Sequence, residues 1–232
     1  MKKGYILSID EIKKLPEVSD YKSIQKNKEE VEQKVLEIFN ENKIINGDKL
    51  EKIFFPLGKK YDFFISYSHN DEEIVKRLAS FLEEKGFDVF LDSKIWGSAD
   101  HLLKLIDDNY SRCNHDKNFY DYTKRNFSTS HVHSMLNSAI GKAISKSKYI
   151  IFTSLESNPS YKPSTSDLEV KILSPWIYQE LNYFNLFNDL QNNINNLYIN
   201  KILLEDLQIG RSGDTSGLKE ISIYELLKEI SK

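Results

Sequence analysis

A chain of 232 residues, 40% of them hydrophobic, is long enough for one ordinary domain with an appendage and apolar enough to bury a core. Its 32 Lys and Arg against 35 Asp and Glu leave a net charge of −3, with the cations spread along the chain, which excludes the basic footprint of a nucleic-acid binder. The lone cysteine, Cys113, excludes an internal disulfide and offers no metal-ligand spacing, so it reads as a bystander thiol in a reducing compartment and no metal is expected. No window approaches the roughly 20 apolar residues of a membrane span, and the first residues lack an apolar signal core. The expectation is a soluble, cytoplasmic protein with no membrane partner.

Residues 1–58 are highly charged and show only short apolar patches, so they read as an N-terminal helical extension preceding a domain over 59–232. Ser8 with Glu11 forms a candidate capping box, and Ile24, Val31, Val35, Ile38 and Phe39 fall on one face of a second, longer helix. That stripe needs a partner to bury it, either the following domain or a second subunit. Gly47 and the segment Phe54-Phe-Pro-Leu-Gly58 read as the connection into the first strand.

From Tyr61 the pattern alternates as an α/β protein should. A strand over 61–67 ends in the polar run Ser66-Tyr-Ser-His-Asn-Asp71, a helix spans 72–85 with Asn70 or Asp71 as cap and Gly86 as stop, and a second strand covers 87–91. Two strands joined by a helix run parallel, so Ser66, Tyr67, Ser68 and Asp92 emerge at one edge, where open α/β sheets bind ligands. A helix around 99–109 follows, then a polar and aromatic insert over 110–129, long enough to be functional or disordered. Ser130 is expected to cap a core helix carrying Val132, Met135, Leu136, Ala139, Ile140, Ala143 and Ile144. A buried strand over 149–153 precedes Ser174-Pro175, a cap and first-turn proline. A fourth strand near 197–204 and a terminal helix capped by Ser222 with Glu225 complete a flavodoxin-like parallel sheet flanked by helices.

Three of these motifs carry a family resemblance. Phe64-Ile-Ser-Tyr-Ser68 with the helix over 73–84, then Gly86-Phe-Asp-Val-Phe-Leu-Asp92, then Ser174-Pro-Trp-Ile-Tyr-Gln-Glu-Leu181, in that order across residues 60–205, resemble the Toll/interleukin-1 receptor (TIR) domain. The chain is similar to stand-alone bacterial TIR proteins, many of which consume NAD in antiviral defence. The resemblance implies an NAD glycohydrolase, ADP-ribosyl cyclase or transferase that acts as the immune-signalling component of a Thoeris-type system, passing a nucleotide to a downstream effector. It also implies self-association or pairing with other TIR domains, with NAD as substrate and no resident cofactor.

Trp176 and Glu180, four residues apart, share one helix face. By resemblance Glu180 matches the catalytic glutamate of NAD-cleaving members and Trp176 the aromatic beside it; the plain alternative is a solvated glutamate near a half-buried tryptophan. One carboxylate suits this chemistry, because nicotinamide leaves as a neutral molecule and the sugar left behind develops positive charge. Tyr67, Trp96 and Trp176 offer stacking surfaces, Ser66, Ser68 and Asp92 offer hydrogen bonds, and His131 stands near the expected start of a helix, where a phosphate could be met. Each of these also has an ordinary structural reading as core, rim or cap. His131 and His133 point to different sides of a helix and do not chelate together. No Gly-x-Gly-x-x-Gly occurs, and Ser68-His69 stands where many NAD-cleaving members carry basic residues. The alternative function is a catalytically silent TIR scaffold that works by oligomerising.

Overall fold

The computed structural model describes residues 2–17, 28–41, 45–55, 59–91, 93–153, 171–172, 174–192, 211–212, 215 and 217–231. The chain divides into two compact units, one of residues 1–19, 60–91 and 144–232, the other of residues 20–59 and 92–143.

The first unit is built on a parallel five-stranded sheet. Its strands are β1 (Lys3–Ile6), β2 (Tyr61–Ser66), β3 (Val89–Leu91), β4 (Ser147–Phe152) and, after a short antiparallel pair β5 (Lys171–Ile172) and β6 (Arg211–Ser212), β7 (Leu218–Glu220). The spatial order is β3-β2-β4-β1-β7, with every pairing in the sheet parallel. This is the flavodoxin-like order with one substitution: the fourth place is filled from the start of the chain. The reading of residues 1–58 as strandless is corrected by β1, a strand too short and too interrupted by Lys3 and Gly4 to signal itself by alternation. The strand expected at 197–204 lies outside the described residues.

Register divides the side chains into two faces. Phe63 of β2 stacks on Tyr149 of β4 at 4.9 Å, and Tyr149 on Tyr5 of β1 at 6.3 Å, so these three line one face. On the other, Phe64 pairs with Ile150, Ser66 with Phe152, and Gly4 with Ile150 and Leu218. Helix α1 (Ile9–Lys13) packs with α4 (Glu72–Glu84), which buries Val75, Leu78, Ala79 and Leu82. Full burial of each of the valine, leucine and phenylalanine side chains among these contributes about 1.5–3 kcal/mol. Gly86, at φ +86°, supplies the left-handed turn that ends α4. Ser8 caps α1 as expected, but the Glu11 carboxylate turns to the amide of Ile223 instead of closing the box. The complete box is at the far end, where Ser222 and Glu225 bond reciprocally at the start of α8 (Ile223–Ile230).

The second unit is helical. Helices α2 (Lys28–Glu41), α3 (Gly47–Phe54), α5 (Ser93–Tyr110) and most of α6 (Tyr122–Lys146) compose it. Of the expected stripe on α2, Val35, Ile38 and Phe39 are buried, with Phe39 edge-on to Tyr110 at 5.2 Å, Val31 is half-buried, and Ile24 lies outside the described residues. His101 bridges Glu32 at 2.9 Å and the Phe54 ring at 5.9 Å.

The insert is shorter than expected and Ser130 is no cap. Asp121 starts α6, its carboxylate accepting from the amide of Lys124, and Ser130 lies two turns inside, donating to the carbonyl of Asn126. The first turns of α6 are exposed around Tyr122 and Phe127, so no apolar period announces them. The connecting residues 111–121 are braced by Tyr120 on Asp108 at 2.7 Å, and buried Asp107 by Ser128 at 2.5 Å and Arg125 at 3.2 Å.

Candidate functional site

Helix α7 (Pro175–Asn192) starts as its sequence dictates: Ser174 Oγ accepts from the amide of Ile177 at 3.3 Å, and Pro175 occupies the first turn. Its buried stripe is Ile177, Glu180, Leu181 and Phe184, at three- and four-residue steps. Phe184 meets Phe152 of β4 at 6.3 Å, which lays α7 along the sheet face that carries Ser66. A carboxylate therefore stands where the helix otherwise presents only apolar side chains.

Glu180 is 0% exposed, and among the described residues neither of its carboxylate oxygens has a hydrogen-bond partner. Burial pushes its pKa up to about 8, and the Ser66 hydroxyl opposes the rise by its closeness, although no hydrogen bond of ordinary geometry joins the two. Ser66, the last residue of β2, is itself buried, and its hydroxyl likewise makes no hydrogen bond among the described residues. Its backbone is pinned, because the amide of Thr153 donates to the Ser66 carbonyl at 3.0 Å and ties the ends of β2 and β4 together. The reading of Glu180 as a solvated helical glutamate is overturned by this burial.

The other expected site residues divide. Tyr67 is buried, while Ser68 and Trp176 are half-buried, all in the first unit. Asp92 lies outside the described residues, as does the side chain of Trp96 on α5. His131 is exposed on α6, its ring 4.5 Å from Phe127, well inside the helix and not at its start, so it has no helix N-terminus to share with a phosphate. The sequence reading missed how deeply Glu180 is set, although the signal was present in the spacing of Ile177, Leu181 and Phe184 around it. It missed Thr153 as the clamp on Ser66, for which hydropathy gives no cue.

Two buried polar groups without partners cost about 1–3 kcal/mol each, so a pair set side by side at the carboxyl edge of a parallel sheet is suited to meeting ligand hydroxyls or a developing cation. Among the described residues no group of three or more His, Cys, Asp and Glu side chains gathers as a metal site would. No helix among them is long and apolar enough to cross a membrane.

These features define an α/β protein with a parallel sheet and an acidic group buried at the carboxyl edge of its strands. A family model described as a TIR domain matches residues 63–198, more than half of the chain, and the chain belongs to that family. No curated protein and no solved structure matches it.

Proposed function

We propose that the protein cleaves the bond between nicotinamide and ribose in NAD, with Glu180 as the catalytic residue. The observation that carries this reading is the buried, unpartnered pair of Glu180 carboxyl and Ser66 hydroxyl among the described residues of a TIR-family chain. Ribose hydroxyls supply the hydrogen bonds both groups lack. In the free protein Glu180 holds its proton near neutral pH; as NAD binds, the cationic nicotinamide ring draws the pKa down and the proton passes to solvent water, so the carboxylate stands where the sugar acquires positive charge.

The glycosidic bond then breaks with both electrons passing to the nicotinamide nitrogen, which leaves neutral. Water bonds the anomeric carbon and releases a proton to give ADP-ribose. An internal hydroxyl or adenine nitrogen gives a cyclic isomer instead, and an external nucleophile gives a conjugate. Trp176, one turn before Glu180 and half-buried, offers a stacking wall for the leaving ring. Tyr67 and Ser68 follow Ser66 at the same strand end as further contacts, whereas the roles of Asp92, Trp96 and His131 rest on the sequence alone. The product serves as an immune signal for a downstream effector, as in a Thoeris-type antiphage system. The protein works in a cytoplasm.

Complete closure of Glu180 favours one other reading, a silent TIR scaffold acting by association with other TIR domains. Incubating purified protein with NAD and identifying products by mass spectrometry separates them: nicotinamide with ADP-ribose, an isomer or a conjugate supports the enzyme, and intact NAD, both alone and under conditions of assembly, supports the scaffold.

A further inference from the structure

The helix that carries Glu180 rests on the strand from the start of the chain. A Cβ built on Gly4 of β1 would lie 2.3 Å from Cζ and 2.7 Å from Cε2 of the Phe184 ring, and 2.5 Å from Cδ2 of Leu218. A larger residue there would force the Phe184 ring and the end of the Leu218 side chain to shift. Gly217 approaches the same ring, its Cβ position 3.3 Å from Cε1. One turn further on, the backbone amide of Lys2 donates to Asn188 Oδ1 at 3.1 Å, while the Lys2 ammonium donates to the carbonyls of Ser145 at 2.7 Å and Ser147 at 2.8 Å.

Glu180, Phe184 and Asn188 follow at four-residue steps on one face of α7. Strand β1 thus meets the first turn after Glu180 by shape, at Gly4, and Lys2 just before the strand holds the second by a hydrogen bond. Both Gly4 and the Gly217-Leu218 pair lie outside residues 63–198, the part of the chain that the family model covers.

We infer that β1 is a positioning element for the site: the fit of the Phe184 ring on Gly4 fixes how α7 sits on the sheet, and with it where the Glu180 carboxyl stands beside Ser66. Gly4 and Phe184 are positioning residues and touch no substrate. The inference rests on the reading of Glu180 as the catalytic carboxylate, and its test has one arm that needs no activity.

In protein carrying carbon-13-labelled glutamate carboxyls, the Glu180 signal is assigned by its loss in E180Q and titrated. Burial raises the midpoint of that carboxyl and the Ser66 hydroxyl opposes the rise, so a change in how the carboxyl is seated moves it. Gly4→Ala is expected to lower the midpoint by about one pH unit or more as the carboxyl leaves its apolar surroundings. It should also reduce kcat for NAD about a hundredfold with KM changed only a few-fold, the effect of a displacement near 1 Å. The double variant G4A/F184L, in which the new methyl takes room the ring gives up, should lie closer to wild type in both measures than G4A. If G4A does not fold, F184L alone should lower the midpoint in the same direction. A folded G4A or F184L with a lower melting temperature but an unchanged midpoint overturns the inference, leaving β1 a purely structural strand. Wild-type protein that releases no nicotinamide removes the NAD reading instead, and the titration still decides the positioning.

Discussion

Glu180 shares its face of α7 with Ile177, Leu181 and Phe184, and its protonation is the most consequential property of any single residue here. Because burial raises its folded pKa from 4.5 to about 8, the native state keeps a proton that the unfolded chain gives up between those values. Unfolding then releases a proton, so stability is fully present below about pH 4.5 and falls as pH rises towards 8, by at most about 1.4 kcal/mol per pH unit. Glu180→Gln should remove that fall, giving a variant whose melting temperature exceeds wild type near pH 8 and approaches it near pH 4.5. Parallel melting curves across the range contradict the assignment. Trp176→Ala tests the neighbouring residue: a half-buried stacking wall gives weaker NAD turnover with little loss of stability, whereas a core tryptophan costs about 3–5 kcal/mol on truncation. Melting temperature and KM measured together distinguish the two.

At the scale of elements, α2 buries Val35, Ile38 and Phe39, and the Phe39 ring meets Tyr110 of its own unit. Phe39→Ala should therefore destabilise the chain by about 3–5 kcal/mol in chemical denaturation and leave any self-association unchanged. A stable variant that fails to associate would show instead that Phe39 faces another chain. The start of helix α7 was legible, because a serine cap and a first-turn proline are local signals, whereas the stripe of Ile177, Leu181 and Phe184 that buries Glu180 went unread. Also legible were β2, α4 and Gly86, where an apolar run, a helical period and a glycine stop agree. Strand β1 was illegible, since four residues containing lysine and glycine become a strand only through neighbours more than 140 residues away. The start of α6 was hidden for the opposite reason: an exposed helical turn has no apolar period to read, and only Asp121 marks it.

For the whole molecule, membership of the TIR family suggests association with other TIR domains. We expect specific activity to rise with protein concentration, as sedimentation velocity run beside the NAD assay would register; a strictly monomeric species with constant specific activity contradicts this. Within the site, the sequence placed Ser66 and Glu180 on separate elements, and only the sheet register with the Phe184 to Phe152 contact brings those elements face to face. The proposed activity, NAD cleavage at this buried carboxyl, is open to direct test. Its most direct measurement is nicotinamide release, by mass spectrometry, from wild type and E180Q at equal concentrations of folded protein. The account predicts release by wild type and a loss of about two orders of magnitude or more in a variant that keeps its fold. Equal release from the two proteins would contradict it.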